Sequence, residues 1–164
     1  MQVRTMAELA AEGKTPEILF WVGCAGSFDQ RAQKVTKAFA QILHALNIDF
    51  AILGNEEACT GDPVRRAGNE FLFQMMAYQN IQVLNGYEVK KIVTACPHCF
   101  NTLKNEYPEL GGNYEVIHHT QLLQELIDLG KIKLSDATEF KGKRVTYPDS
   151  CYLGRANNVY EAPR

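Results

Sequence analysis

Residues 93–108 read VTACPHCFNTLKNEYP. The apolar run from Lys91 to Ala95 has the composition of a buried strand, and Pro97 opens a helix-like stretch. Proline suits a first helical position, because its φ is preset and its missing N–H has no intrahelical partner there. The stretch therefore predicts a strand, a tight turn and a helix. Two thiols, Cys96 and Cys99, stand at the turn. Three readings compete for them: a redox dithiol, half of a metal site, or two unrelated small side chains.

The same unit recurs on both sides. Ile18 to Val22 (ILFWV) is a buried-strand candidate, and Ser27 and Gln30 form a capping-box pattern before a helix. Ala32, Val35, Phe39, Ile42, Leu43 and Leu46 fall on one face of that helix. Phe50 to Leu53 reads as a second strand. Asp62-Pro63 starts a helix of about 20 residues, with Leu72, Met75 and Met76 assigned to the core. Glu115 to His118 is a fourth strand, followed by a helix over Gln121 to Leu129, and Arg144 to Tyr147 is a fifth. Such alternation predicts a three-layer α/β fold, a mostly parallel sheet of about five strands with helices on both faces.

Bulk properties narrow the function. A length of 164 residues suits one domain with a real core. Apolar residues at 46% and charged residues at 22% are ordinary for a globular chain. A net charge of -2 and a pI near 6.1 argue against a nucleic-acid surface. No apolar run is long enough to span a bilayer, and MQVRTMAELAAEGKTPE lacks the apolar core of a signal peptide. The expected location is the cytoplasm or the cytoplasmic side of a membrane complex. Five cysteines, an odd count in such a compartment, speak against a disulfide framework.

The cysteines share one feature. Cys24 follows the first predicted strand, Cys59 the second, Cys96 and Cys99 the third, and Cys151 the fifth. All five are thus expected at the carboxyl edge of the sheet, where open parallel sheets bind ligands. The spacers of 34 and 36 residues each hold roughly one helix and one strand. Thiolate-only sets suit an iron–sulfur cluster or zinc. Structural zinc more often uses two close pairs, and here one pair is close. A dithiol reading of Cys96 and Cys99 leaves the alignment of Cys24 and Cys59 unexplained.

Cys24, Cys59 followed by Gly61, and Cys96-x-x-Cys99 resemble the cysteine-rich CCG domain. That family includes the cysteine-rich subunit of heterodisulfide reductase and the iron–sulfur subunits of glycolate, lactate and glycerol-3-phosphate oxidation. The stretches CTGDPVRRAGNEFLFQ, CPHCFNTLKNEYP and SCYLGRANNVYEAPR are similar to its iron–sulfur oxidoreductase branch. The resemblance implies an iron–sulfur electron-transfer subunit or domain in which Cys24, Cys59, Cys96 and Cys99 are the cofactor and metal ligands. The family's paired cysteines stand here as Ala58-Cys59. An ordinary [4Fe–4S] cluster is then the expectation, with a noncubane variant or zinc as alternatives. Cys151 of DSCYLGR resembles the first cysteine of a second motif. The implied organisation is a lead-in over 1–16, a cluster domain over 17–150 and the start of a second, truncated motif over 151–164. Implied partners are a redox protein carrying ferredoxin-like clusters or a flavin, no nucleic acid, and peripheral contact with a membrane complex. The runners-up are a zinc-stabilised assembly domain and a thiol–disulfide protein using Cys96 and Cys99.

Other residues have a plain and a functional reading. His98 either donates to a cluster sulfur or is a solvated loop residue. His118 and His119 either move a proton or bind metal, or else cap a helix. Arg65 and Arg66 either balance thiolate charge or line a solvated helix face. Trp21 is a strand residue that can shield the site. Gly23, Gly26, Gly54 and Gly61 flank the cysteine loops and allow close backbone approach.

Overall fold

The computed structural model describes residues 2–134 and 142–164. Its framework is a parallel sheet, because short strands centred on apolar residues are joined through helices. β1 (Ile18–Trp21) is buried along its whole length, which suits a strand covered on both faces. β2 (Phe50–Ala51), β3 (Lys91–Thr94) and β4 (Glu115–His118) complete it in the order β2-β1-β3-β4, all parallel. Leu19 pairs with Ile92 and Trp21 with Thr94, while Thr94 pairs with His118.

Side-chain alternation along the strands divides the core in two. Leu19, Trp21 and Ile92 meet α1 (Met6–Ala11), α5 (Glu70–Gly86) and α6 (Pro97–Asn101) on one face. Ile18, Phe20 and Val93 meet α3 (Gln30–Ala45) and α7 (His119–Asp128) on the other. The polar lead-in joins the first face: Thr5 caps α1 with a capping box, bridges to Ile52, and delivers Met6 and Leu9 to the core.

The expected α/β architecture is present, with four strands among the described residues rather than five. Arg144–Tyr147 makes no ladder; Val145 is 72% and Tyr147 47% exposed. A strand needs a paired edge and a buried face, and this run has neither. The long helix after Asp62 is broken into α4 (Asp62–Arg66) and α5, because Gly68 turns left-handed (φ 87°) and Asn69 caps a new start. Ser27 is no cap: it lies inside α2 (Gly23–Phe28), and Asp29 caps α3 by accepting the Ala32 N–H. Nor are Leu72 and Met75 core. α5 is apolar nearly all round and can bury only one side, so Phe71, Leu72, Met75 and Tyr78 face outward.

Strand order fixes where a ligand can sit. The chain leaves β1 towards β2 on one side, and leaves β3 towards β4 on the other. The loops after β1 and β3 therefore diverge, opening a crevice at the carboxyl edge between them.

Candidate functional site

Four cysteines meet at that crevice. Cys24 lies in the first turn of α2, exposed. Cys59 sits in the loop before α4, half-buried, with its Sγ 3.5 Å from the Gly61 amide. Cys96 is the N-cap of α6, and Cys99 is buried one turn on. All four line one cavity of about 390 Å³, together with Trp21, Gly23, Thr60, Asp62, Pro63, Arg66 and His98. Cys151 does not line it. That thiol is exposed at the head of a π-helical turn, Cys151–Arg155, and the neighbouring Tyr152 ring packs on His98 with centroids 4.3 Å apart.

Each loop is pinned by side chains distant in sequence. Glu57 accepts the backbone N–H groups of Val22 (2.9 Å) and Gly23 (2.6 Å) beside Cys24. Buried Asn80 donates to the Cys59 carbonyl at 3.0 Å, and Tyr107 Oη donates to the Thr60 carbonyl at 3.1 Å. The His118 Nε2–H donates to the Ala95 carbonyl at 3.1 Å, just before Cys96. Asp62, with a buried side chain, accepts from His98 Nδ1 at 2.7 Å and pairs with Arg66 at 3.3 Å. Glu106 completes the clamp between α4 and the helix that follows Cys99 by pairing with Arg65 at 3.0 Å and with Arg66.

The thiols are electrostatically unequal. A hydrogen bond from the Cys99 thiol lowers Cys96 to about 6, helped by the amides of Cys99 and His98 at the start of α6. The same bond, with burial, raises Cys99 well above the usual thiol range. Partial desolvation at the cavity mouth, then the nearby Cys59, raises Cys24, although its surface is exposed. Burial also lifts the Glu57 carboxyl to about 7, against its two N–H donors.

Several observations test whether the cavity suits a bound group. Among the described residues no three His, Cys, Asp or Glu side chains are grouped to hold one metal ion. The thiols instead surround a space far larger than the about 30 Å³ share of one water. Trp21 is fully buried in its wall, and the indole N–H has no acceptor among the described residues. Gly23 has φ 78°, and a Cβ there would stand 3.4 Å from Cys99 Sγ. Four soft donors, an orphaned N–H and an open cradle fit an inorganic cluster of several atoms.

The local sequence pattern left several of these roles unread. Asp62 is more than a helix start, since it holds His98 and Arg66. Glu57 and Asn80 lie outside the motif stretches, and Thr60 and Tyr107 lie inside them with no role assigned from sequence; the roles of all four arise from contacts across 21 to 47 positions. His118 and His119 lie beside the site and do not line it. Burial, then the charge of His119, lowers His118 to about 3, and burial lowers His119 to about 4. Unfolded histidine takes up its proton near pH 6.5. Below that pH the unfolded chain binds protons that the native pair refuses, so stability is full above about 6.5 and falls as pH falls towards 4. The metal-free protein is expected to melt at progressively lower temperature over that window. A His118→Asn/His119→Gln variant should show a shallower slope, and an unchanged slope would place the effect elsewhere. Glu57 contributes with the opposite sign between about 4.5 and 7, which is why slopes rather than absolute stabilities are compared.

The sequence profile of the CCG cysteine-rich domain matches residues 18–104, the stretch that carries all four lining cysteines. The chain is 48% identical over 163 residues to an EtfAB:quinone oxidoreductase of Syntrophomonas wolfei, covering 99% of this chain and 22% of that protein. It is also 48% identical over 163 residues to the probable iron-sulfur-binding oxidoreductase FadF of Bacillus subtilis, covering 99% and 23%. The dihydromethanophenazine:CoB–CoM heterodisulfide reductase of Methanosarcina barkeri has a subunit 36% identical over 154 residues, covering 90% and 36%. The chain thus spans between about a fifth and just over a third of the length of these relatives. No solved structure matches it.

Proposed function

The chain belongs to the cysteine-rich CCG domain family, and on that premise we propose that it is the cluster-binding, electron-transfer portion of a heterodisulfide-reductase-like oxidoreductase. Cys24, Cys59, Cys96 and Cys99 are the proposed ligands of one [4Fe–4S] cluster. The observation that carries this reading is the convergence of four thiols from three strand–helix loops on one cavity at the sheet's switch point. With Ala58 in the place of a second adjacent cysteine, a four-thiolate cluster suits the donor set better than a noncubane one. The relatives named for iron–sulfur binding and for quinone or heterodisulfide chemistry support the same class.

A bound cluster would supply one-electron transfer, and the chain tunes it. The amides at the start of α6 stabilise thiolate charge at Cys96. Trp21 and the buried Cys99 wall keep water from one side, whereas exposed Cys24 marks the face open to a partner. That partner is proposed to be a redox protein bearing ferredoxin-like clusters or a flavin. No helix among the described residues is long and apolar enough to cross a membrane, and a cytoplasmic position with peripheral membrane contact accords with that. Residues 17–150 are the proposed cluster unit, 1–16 its lead-in, and 151–164 the beginning of a second motif.

One observation favours a second reading. A low-pKa Cys96 beside a protonated, buried Cys99 is the arrangement of a thiol–disulfide pair. Metal analysis of anaerobically prepared protein separates the cases. About four irons and four acid-labile sulfides per chain are expected. Zinc without sulfide would favour the assembly domain. Neither metal nor sulfide after reconstitution, with a reducible Cys96–Cys99 disulfide, would favour the dithiol.

A further inference from the structure

We propose that Glu57 is a positioning residue that presets Cys24 against the other three thiols; this rests on the assignment of Cys24 as a cluster ligand. The Cys24 turn is the least anchored of the three. Cys24 and Ala25 are exposed, and Phe28 is 84% exposed. The turn's other side-chain hydrogen bonds stay within α2 or reach α3: Ser27 donates to the Gly23 carbonyl, and Gln33 donates to the Ser27 carbonyl. Among the described residues, Glu57 alone hydrogen-bonds this turn to another cysteine loop.

Its geometry fixes orientation as well as distance. Oε2 takes the Val22 N–H and Oε1 the Gly23 N–H, so both oxygens are committed in a two-pronged grip. When the carboxyl is ionised these bonds are charge-assisted and about twice as strong as neutral ones. Glu57 is itself held by a rigid base. Two and three residues on, the Cys59 and Thr60 carbonyls are bonded to Asn80 and Tyr107, both buried in the core. Position is thereby transmitted from the core, through the Cys59 loop, to the backbone just ahead of Cys24. Sheet pairing and the helix faces do not depend on this carboxylate, so its removal should loosen the turn and leave the fold intact.

The test uses protein reconstituted anaerobically with iron and sulfide, then challenged with an iron chelator. Glu57→Ala should hold the cluster about 10- to 100-fold less tightly, the range found when a group supporting a ligand is removed. Glu57→Gln keeps the volume but sets an NH₂ against one of the two N–H donors, so it should lose cluster too, by a smaller factor. Metal-free Glu57→Gln should still unfold in one cooperative transition, somewhat below the wild-type temperature because one N–H is left without its acceptor. A double-mutant cycle decides the route: if Glu57 acts through Cys24, Glu57→Ala adds nothing to the loss in Cys24→Ser. Additive losses would overturn the proposal. So would full retention in both Glu57 variants while Cys24→Ser loses iron, a result that leaves the ligand assignment standing. Normal retention in Cys24→Ser itself would overturn the assignment and this inference together.

Discussion

Single replacement of Cys24, Cys59, Cys96 or Cys99 by serine is expected to cost most of the iron bound by the protein, whereas Cys151→Ser keeps it. The four thiols share one cavity, and the fifth lies outside it, next to the Tyr152 ring that packs on His98. Serine is nearly isosteric but a hard, weakly acidic donor, a poor substitute for thiolate on iron. Cys24 gives the cleanest result. It is exposed, so serine there costs no packing, and any iron loss reports ligation rather than misfolding. Cys99 is buried, with Thr60 Oγ1 3.9 Å from its sulfur, and serine there will lower stability as well. Iron and sulfide are to be measured beside a thermal melt for each variant. Normal iron content in Cys24→Ser would reduce the site to its Cys-x-x-Cys pair and sink the cluster reading.

The second large effect is conformational. Gly61 adopts φ 90° between Cys59 and α4, and a Cβ there would lie 2.8 Å from Cδ2 of Phe73, a ring 1% exposed in the core. Gly68 has nearly the same backbone, φ 87°, with no atom of the described residues within 4 Å of its Cβ position. Alanine at Gly68 meets only the left-handed penalty of about 1–2 kcal/mol. Alanine at Gly61 meets that penalty and an overpacked core, a further loss of about 1–3 kcal/mol. Urea unfolding of the two variants should show Gly61→Ala the less stable by that margin. Because Phe73 also carries the Arg65 guanidinium 4.6 Å from its ring centre, the shift should reach the α4 clamp and lower iron retention. Equal losses at the two positions would show that Phe73 yields freely.

The architecture was legible where local chemistry and global packing agree. A continuous apolar run marked β1, since a strand buried on both faces has no polar side to alternate with; in β3 and β4 the apolar pairs Ile92-Val93 and Val116-Ile117 carried the signal between polar ends. Pro97 marked α6, and helix-length spacers placed the cysteine loops at one end of the sheet. The errors have local causes too. RVTY has strand composition, but composition does not supply a neighbouring edge. Asp29 moved the start of α3, and Asn69 capped a second helix after the break at Gly68, because a cap is decided by which side chain reaches the orphaned N–H groups. Met75 was assigned inward on a helix whose apolar residues cover nearly its whole circumference, where periodicity carries little direction.

Residue type and spacing were therefore enough for the class of fold, for the edge on which the thiols lie and for the softness of the donor set. Which thiols share a cavity, and what holds them there, came only from the folded chain. Val22 and Gly23 meet Glu57 across 34 to 35 positions, Asp62 meets His98 across 36, and the Ala95 carbonyl meets His118 across 23. Those part-buried hydrogen bonds form because the parallel crossovers bring remote loops to one edge, where each polar group shielded from water must find a partner.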